Sequence, residues 1–211
     1  MVRSAGALPG RFDAGGVTSP VGRTRTLPDD EVESVRFAVT SCSNHPAGFF
    51  HAYREIAARQ DVDAVLHLGD YIYEYANGRY GGRDDGDGRP LGRASFPDRE
   101  LITLDDYRAR YGQYREDPDL QAAHQRHPFI SVWDDHEFAN DYADEHSAQG
   151  TAVEPFLRRR AAAYQAYYEH MPLREPAVPR GADLQLFRRI GYGDLAAFHV
   201  LDTRRYRSAH S

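Results

Sequence analysis

The sequence predicts an α/β domain, and three observations predict it. Residues 35–70 read as an apolar strand, an amphipathic helix and a second apolar strand. A third apolar strand follows at 128–135, and each of the three finishes in a cluster of polar residues. A strand–helix–strand succession is a βαβ unit, whose strands run parallel through a right-handed crossover. In open α/β sheets, sites form beyond the carboxyl ends of such strands.

Each element has its own signal. Residues 1–34 are rich in Gly, Pro, Ser, Thr and Arg with little periodicity, and read as a loop or linker. "VRFAVTS" (35–41) is apolar and β-branched, as a buried strand should be. "GFFHAYREIAARQ" (48–60) sets Phe49, Tyr53, Ile56 and Ala57 on one helical face, and "DAVLHLGD" (63–70) is the next strand. Residues 76–99 form a long surface excursion of Gly, Asp and Arg; its "DDGDG" (84–88) lacks the bidentate Glu of an EF-hand. "TLDDYRARYGQYRED" (103–117) is a helix with Thr103 as N-cap and acids in the first turn, and "DPDLQAAHQRH" a shorter one. "PFISVWDD" (128–135) is the third strand. The segment 154–174 is a long helix stopped by Pro172, and 184–204 reads as two strands joined at Gly-Tyr-Gly-Asp.

Size and composition narrow the function. The 211 residues suffice for one domain with a sizeable core, and 41% hydrophobic with 27% charged residues is ordinary for a globular chain. A net charge of -6 argues against a nucleic-acid-binding patch. The 26 basic residues are all arginine, a side chain suited to bidentate grip on phosphate. One cysteine, Cys42, excludes an internal disulfide and a Cys-rich zinc module. No apolar run reaches the roughly 18 residues of a membrane span, and the first residues show no signal-peptide apolar region.

The strand ends carry the chemistry: Ser41-Cys42-Ser43-Asn44, then Asp70 with Tyr73, then Asp134-Asp135-His136. If the strands are neighbours, thiol, carboxylate, phenol and imidazole converge at one edge. A thiolate, a carboxylate and a phenolate bring three negative charges, which suits a trivalent ion such as iron(III). Asn140 offers a neutral carbonyl to a harder cation, calcium or manganese. Taken singly, each residue has a plainer reading: Cys42 as a small buried hydrophobe, Tyr71, Tyr73 and Tyr75 as packing, Asp134 and Asp135 as caps, His136 as a structural histidine.

Together, "SCSNHPAGFFHAY", "HLGDYIYEY", "ITLDDYRARYGQYR", "VWDDHEFANDY", "RRRAAAYQAYYEHMPLR" and "GDLAAFHVLDTRRYR" resemble the PhoD-like alkaline phosphatase and phosphodiesterase family, over about residues 19–207. The resemblance implies a metallophosphoesterase-like β-sandwich with flanking helices, of which the first half is present. Residues 1–34 are then the exit of an N-terminal β-sandwich domain, and 35–211 a partial catalytic domain without the family's downstream Gly-Asp-x-His type stretch. The implied activity is metal-dependent hydrolysis of a phosphoester, small molecule or polymer. The implied cofactors are iron(III) held by Cys42, Asp70 and Tyr73, and calcium, or manganese or magnesium, shared by Asp70 with Asn140 nearby. Asp134 is implied as a ligand or a hydrogen-bond partner to one, and His136 as proton donor or ligand orienter. Asn140, Arg159 and Arg160 are implied on substrate phosphate, Arg160 within the catalytic group. Tyr71 and Tyr75 pack. The family is usually exported, often through a twin-arginine signal. Two other readings stand beside this one. Gly-Asp-x-x-Tyr (69–73) also resembles the purple acid phosphatase signature, although Trp-Asp-Asp-His-Glu (133–137) replaces the Gly-Asn-His-Glu of calcineurin-like enzymes. The other is a non-catalytic fragment.

Overall fold

A computed structural model describes residues 7–29, 31–80, 91–174 and 177–208. The stretch 84–88, which the sequence already excludes as an EF-hand, lies outside them.

The amino-terminal residues are not a featureless linker. β1 (Ala7–Gly10) pairs antiparallel with β4 (Gly22–Arg25), and between them β2 (Asp13–Ala14) pairs with β3 (Val17–Thr18). The inner turn is Gly15-Gly16, with φ of 57° and 80°. A two-residue hairpin of that kind needs positive φ at both positions, which glycine adopts without strain. This ribbon and the residues just after it are tied to the body. Arg25 pairs with Asp63, the Gln125 amide donates to Val21 O at 2.9 Å, and Gly193 N–H donates to Pro28 O at 3.1 Å.

The expected βαβ unit is present and its strands are parallel. β5 (Phe37–Thr40), β6 (Ala64–His67) and β7 (Phe129–Ser131) form one sheet in the order β5-β6-β7, with Thr40 opposite His67 and His67 opposite Ser131. The central strand is buried and the β5 edge is open at Val39. α1 (His51–Ala58) forms the crossover. It starts later than the pattern suggested, so Phe49 lies before the helix and exposed, stacked on His51, while Phe50 takes the buried position. α2 (Leu104–Arg115) begins at Thr103 in a capping box: the Thr103 hydroxyl accepts from Asp106 N–H, and the Asp106 carboxylate accepts from Thr103 N–H. α3 (Pro118–Arg126) is capped by Asp117, which accepts from two amides of its first turn. α4 (Val153–His170) ends before the expected 174, because the residue preceding Pro172 is forced out of helical backbone.

β8 (Arg188–Tyr192) and β9 (Ala196–Val200) form the carboxyl-terminal hairpin, its turn one step later than expected, at Gly193-Asp194-Leu195. The hairpin meets the sheet through Phe37, edge-on to Tyr192 and Phe198, and through Arg188, which donates to Ser131 O at 2.7 Å. The helices pack α1 on α3 and α2 on α4. Much of the core between them is aromatic: Tyr71, Tyr107, Tyr111, Tyr114, Tyr164, Tyr167 and Trp133 are all buried. No described helix is long and apolar enough to cross a membrane. The result is a mixed α/β arrangement. A cleft of about 1300 Å³, lined by Val35, Ala64, Phe129, Phe187 and Tyr192 among others, opens at the amino ends of the strands, away from the polar clusters.

Candidate metal centre

Parallel pairing in order β5-β6-β7 brings the three polar clusters to one edge. The loops follow the ladder outward: Leu68 N–H donates to Thr40 O, Cys42 N–H to Gly69 O and Ser43 N–H to Asp70 O, at 2.9, 3.1 and 2.8 Å. Gly69 explains how closely the β6 and β7 loops approach. Its φ is +106°, and a Cβ there would overlap the Asp134 amide nitrogen and lie 2.6 Å from Asp134 Cβ and 2.8 Å from the Trp133 carbonyl carbon. Cys42 and Asp70 themselves have φ of 57°, a region that residues with a Cβ seldom occupy. Strain of this kind persists where surrounding structure enforces it, and it clusters at functional sites.

At the meeting point, Cys42 Sγ lies 3.4 Å and the Tyr73 hydroxyl 3.2 Å from the same oxygen, Asp70 Oδ2. The other oxygen, Asp70 Oδ1, is buried and has no hydrogen-bond partner among the described residues. Burial pushes all three groups toward their neutral forms: the Cys42 thiol, the Asp70 carboxyl and the Tyr73 phenol are each raised, with the Asp70 charge adding to the effect on the thiol and the phenol.

A second group adjoins the first. Asp70, Asp135 and His136 each offer a ligand atom within 4.8 Å of the others, and all three are buried. Tyr73 stacks on His136 with ring centroids 4.3 Å apart. His136 Nδ1 is 2.8 Å from Glu74 Oε2, and Nε2 is 3.9 Å from Asp135 Oδ2. Burial pulls the imidazole down, but the Glu74 hydrogen bond and charge, with Asp135 and Asp70, outweigh it and push the group up to about 9. Glu137 is fully enclosed and, through burial and the nearby Asp70 charge, is raised to about 8 despite accepting three amide hydrogen bonds.

Some expected residues stand elsewhere. The Asp134 side chain turns to Arg204, whose Nε and Nη2 donate to its two oxygens at 2.5 and 3.1 Å, so Asp135, not Asp134, joins the cluster. Asn140 is anchored by its backbone N–H on Glu74 Oε1 at 2.7 Å. Arg159 and Arg160 have structural partners in place of an open phosphate clamp. Arg159 bonds Glu100, the Tyr107 hydroxyl and Phe138 O; Arg160, 2% exposed, bonds the Ala182 and Asp144 carbonyls. The arginine set among the acids is Arg204, which also reaches Asp135 at 2.9 Å and Asp141 at 3.1 Å. Sequence reasoning passed over it, and over Glu74, Glu137 and Arg110. The buried Arg110 donates to the Tyr73, Tyr75, Phe96 and Pro97 carbonyls and so holds the Tyr73 backbone. The available signal was an ionisable residue inside an otherwise aromatic stretch, as in "YIYEY" and "HEFAN".

These residues fit a metal ion. A thiol, a phenol and a carboxylate crowd together, each raised toward its neutral form, and one buried carboxylate oxygen lacks a partner. A cation would stabilise all three anions and give that oxygen its missing contact.

The sequence and the fold are both similar to known proteins. A protein-family model described as PhoD-like phosphatase matches residues 37–211. Alkaline phosphatase D of Bacillus subtilis (strain 168) is 49% identical over 199 residues, covering 93% of this chain and 33% of the relative. A solved structure titled "Structure of PhoD" superposes with a TM-score of 0.83 at 48% identity, covering 94% of this chain and 37% of that one. The chain thus spans about a third of the length of the relatives it matches.

Proposed function

Because the chain belongs to the PhoD-like phosphatase family, we propose that it supplies the iron-binding part of a phosphoester hydrolase centre. The observation that carries the reading is the meeting of Cys42 Sγ and the Tyr73 hydroxyl on one Asp70 oxygen, with the other oxygen buried and unpaired. Cys42, Asp70 and Tyr73 would hold a ferric ion, the three-anion set that a trivalent cation favours. Asp70 with Asp135 would face a second, harder cation, calcium, manganese or magnesium, with Asn140 beside it. When bound, the ions supply Lewis acidity toward a phosphoryl oxygen and offset its negative charge.

The chain's own residues do the rest. His136, fixed through Nδ1 on Glu74, is left with Nε2 to hold and deliver a proton to a departing oxygen. Arg204 bridges Asp134, Asp135 and Asp141, offsetting repulsion among carboxylates that would otherwise disfavour one another. The aromatic wall of Tyr73, Tyr75 and Tyr80 around His136 limits water on that side. We further place the sheet and the β8–β9 hairpin in a metallophosphoesterase-like β-sandwich, a reading supported by the Phe37–Tyr192–Phe198 contact between them.

The test is turnover of chromogenic phosphomonoesters and diesters at alkaline pH by the chain extended to its relatives' length. Asp70→Ala abolishes turnover with unchanged far-ultraviolet circular dichroism; retained turnover contradicts the proposal. Elemental analysis separates an iron–calcium centre from a purple-acid-type pair of metals.

A further inference from the structure

Two buried carboxylates lie beside the centre without belonging to the ligand set. Glu74 is 1% exposed and Glu137 3%. Among the described residues, Glu137 has no cationic side chain as partner, and Glu74 has only His136. Burying a carboxylate in an aromatic core is costly unless its hydrogen bonds are made. An apolar side chain would serve packing alone at less cost. What the two carboxylates do is cross between loops. Glu137, in the loop after β7, reaches back to the loop after β6: Oε2 accepts from Asp70 N–H at 3.0 Å and Oε1 from Tyr71 N–H at 2.5 Å. The same Oε2 accepts from Asp134 N–H of its own loop at 2.8 Å. Glu74, in the β6 loop, reaches forward: Oε2 meets His136 Nδ1 at 2.8 Å and Oε1 accepts from Asn140 N–H at 2.7 Å.

We propose that Glu74 and Glu137 are reciprocal positioning residues, each anchored in one strand-end loop and gripping the chemistry-bearing groups of the other. The inference rests on the metal centre proposed above and adds the device that keeps it assembled. The two loops have little regular structure of their own, and Asp70 sits at a φ that its Cβ disfavours. The Glu137 bonds to the Asp70 and Tyr71 amides hold that conformation in place. The Glu74 bond fixes the His136 ring against Tyr73, at the 4.3 Å stacking distance. Neither carboxylate touches the reacting atoms; both act through the residues they hold. Groups that orient metal ligands in this way tune the metal itself.

The experiment uses this chain and two near-isosteric variants, Glu137→Gln and Glu74→Met. An amide cannot accept at both ends, so Glu137→Gln loses at least one cross-loop bond, and Glu74→Met has no carboxylate oxygen for either His136 or Asn140. Amide hydrogen exchange is expected to accelerate at Asp70 and Tyr71 in the first and at Asn140 in the second. Ferric-ion affinity, read by titration, is expected to fall roughly 10- to 100-fold in each, the range for lost partners of metal ligands. Asp106→Asn, which removes a buried carboxylate of the α2 capping box, serves as the control. It is expected to lower stability while leaving ferric affinity and these three amides unchanged. Unaltered exchange at Asp70, Tyr71 and Asn140, or ferric affinity lost equally in the control, overturns the brace. If Glu137→Gln does not fold, Glu74→Met decides through Asn140. A wild-type chain that takes up no ferric ion overturns the metal centre instead, and the exchange pattern still decides the brace.

Discussion

Replacing Gly69 by alanine tests how the centre is assembled, because the loops after β6 and β7 can approach only where a side chain is missing. Two costs combine. An alanine held at φ +106° sits in backbone that side chains rarely adopt, worth about 1–3 kcal/mol. Its Cβ would also overlap the Asp134 amide nitrogen and crowd Asp134 Cβ at 2.6 Å, both parts of a packed turn rather than the end of a flexible side chain. Overpacking of that kind adds about 1–3 kcal/mol, so Gly69→Ala should lose roughly 2–6 kcal/mol in all. Gly150 separates the two costs: its φ is +72°, and a Cβ there meets nothing within 4 Å. Gly150→Ala therefore bears only the backbone cost. Urea unfolding followed through Trp133, the sole tryptophan, gives both values. The difference between the variants should be about 1–3 kcal/mol, the contribution of close approach alone. Equal losses in the two variants would refute the reasoning and leave Gly69 an ordinary turn glycine.

Two further predictions concern a carboxylate of the fold and a phenol of the site. Burial alone would raise Asp106, but the Thr103 amide, the Arg99 guanidinium and the Ile102 amide outweigh it and hold the group at about 2, below the ordinary aspartate value of 3.8. A depressed carboxylate contributes stability above its unfolded value and loses it as pH falls through the folded one. The wild-type advantage over Asp106→Asn should thus be about 2 kcal/mol at pH 5 and shrink by nearly half at pH 3. An advantage constant across that range contradicts the assignment. Tyr73→Phe removes a hydroxyl whose contacts are Asp70 and Cys42, so the fold should survive while any visible phenolate-to-iron absorption of the ferric-loaded chain disappears. A band that persists would assign the phenolate elsewhere.

Local signals made much of the fold legible. The βαβ unit follows from short apolar runs flanking an amphipathic stretch, and the α2 start from Thr103 with acids behind it. The amino-terminal ribbon was missed because its strands are short, exposed and unpatterned; the Gly15-Gly16 pair was its one clear mark. Phe49 and Phe50 exchanged roles because α1 starts only at His51, which leaves Phe49 before the helix, while Tyr53, Ile56 and Ala57 keep the expected inward face. In the site, Cys42, Asp70 and Tyr73 were readable because each lies at or just past a strand end, and parallel pairing brings strand ends together. The choice between Asp134 and Asp135 was not readable. Arg204, 70 residues away in sequence, draws the Asp134 carboxylate aside. Arg159 and Arg160 look like anion binders in sequence, and only distant partners on other segments show how each guanidinium is used.

The central claim is that one sulfur, one carboxylate and one phenol share an ion. X-ray absorption at the iron edge of the ferric-loaded chain measures this directly. The account predicts a sulfur scatterer in the iron coordination sphere alongside oxygens, lost in Cys42→Ala. An iron bound by oxygen and nitrogen alone, indifferent to Cys42, would contradict it.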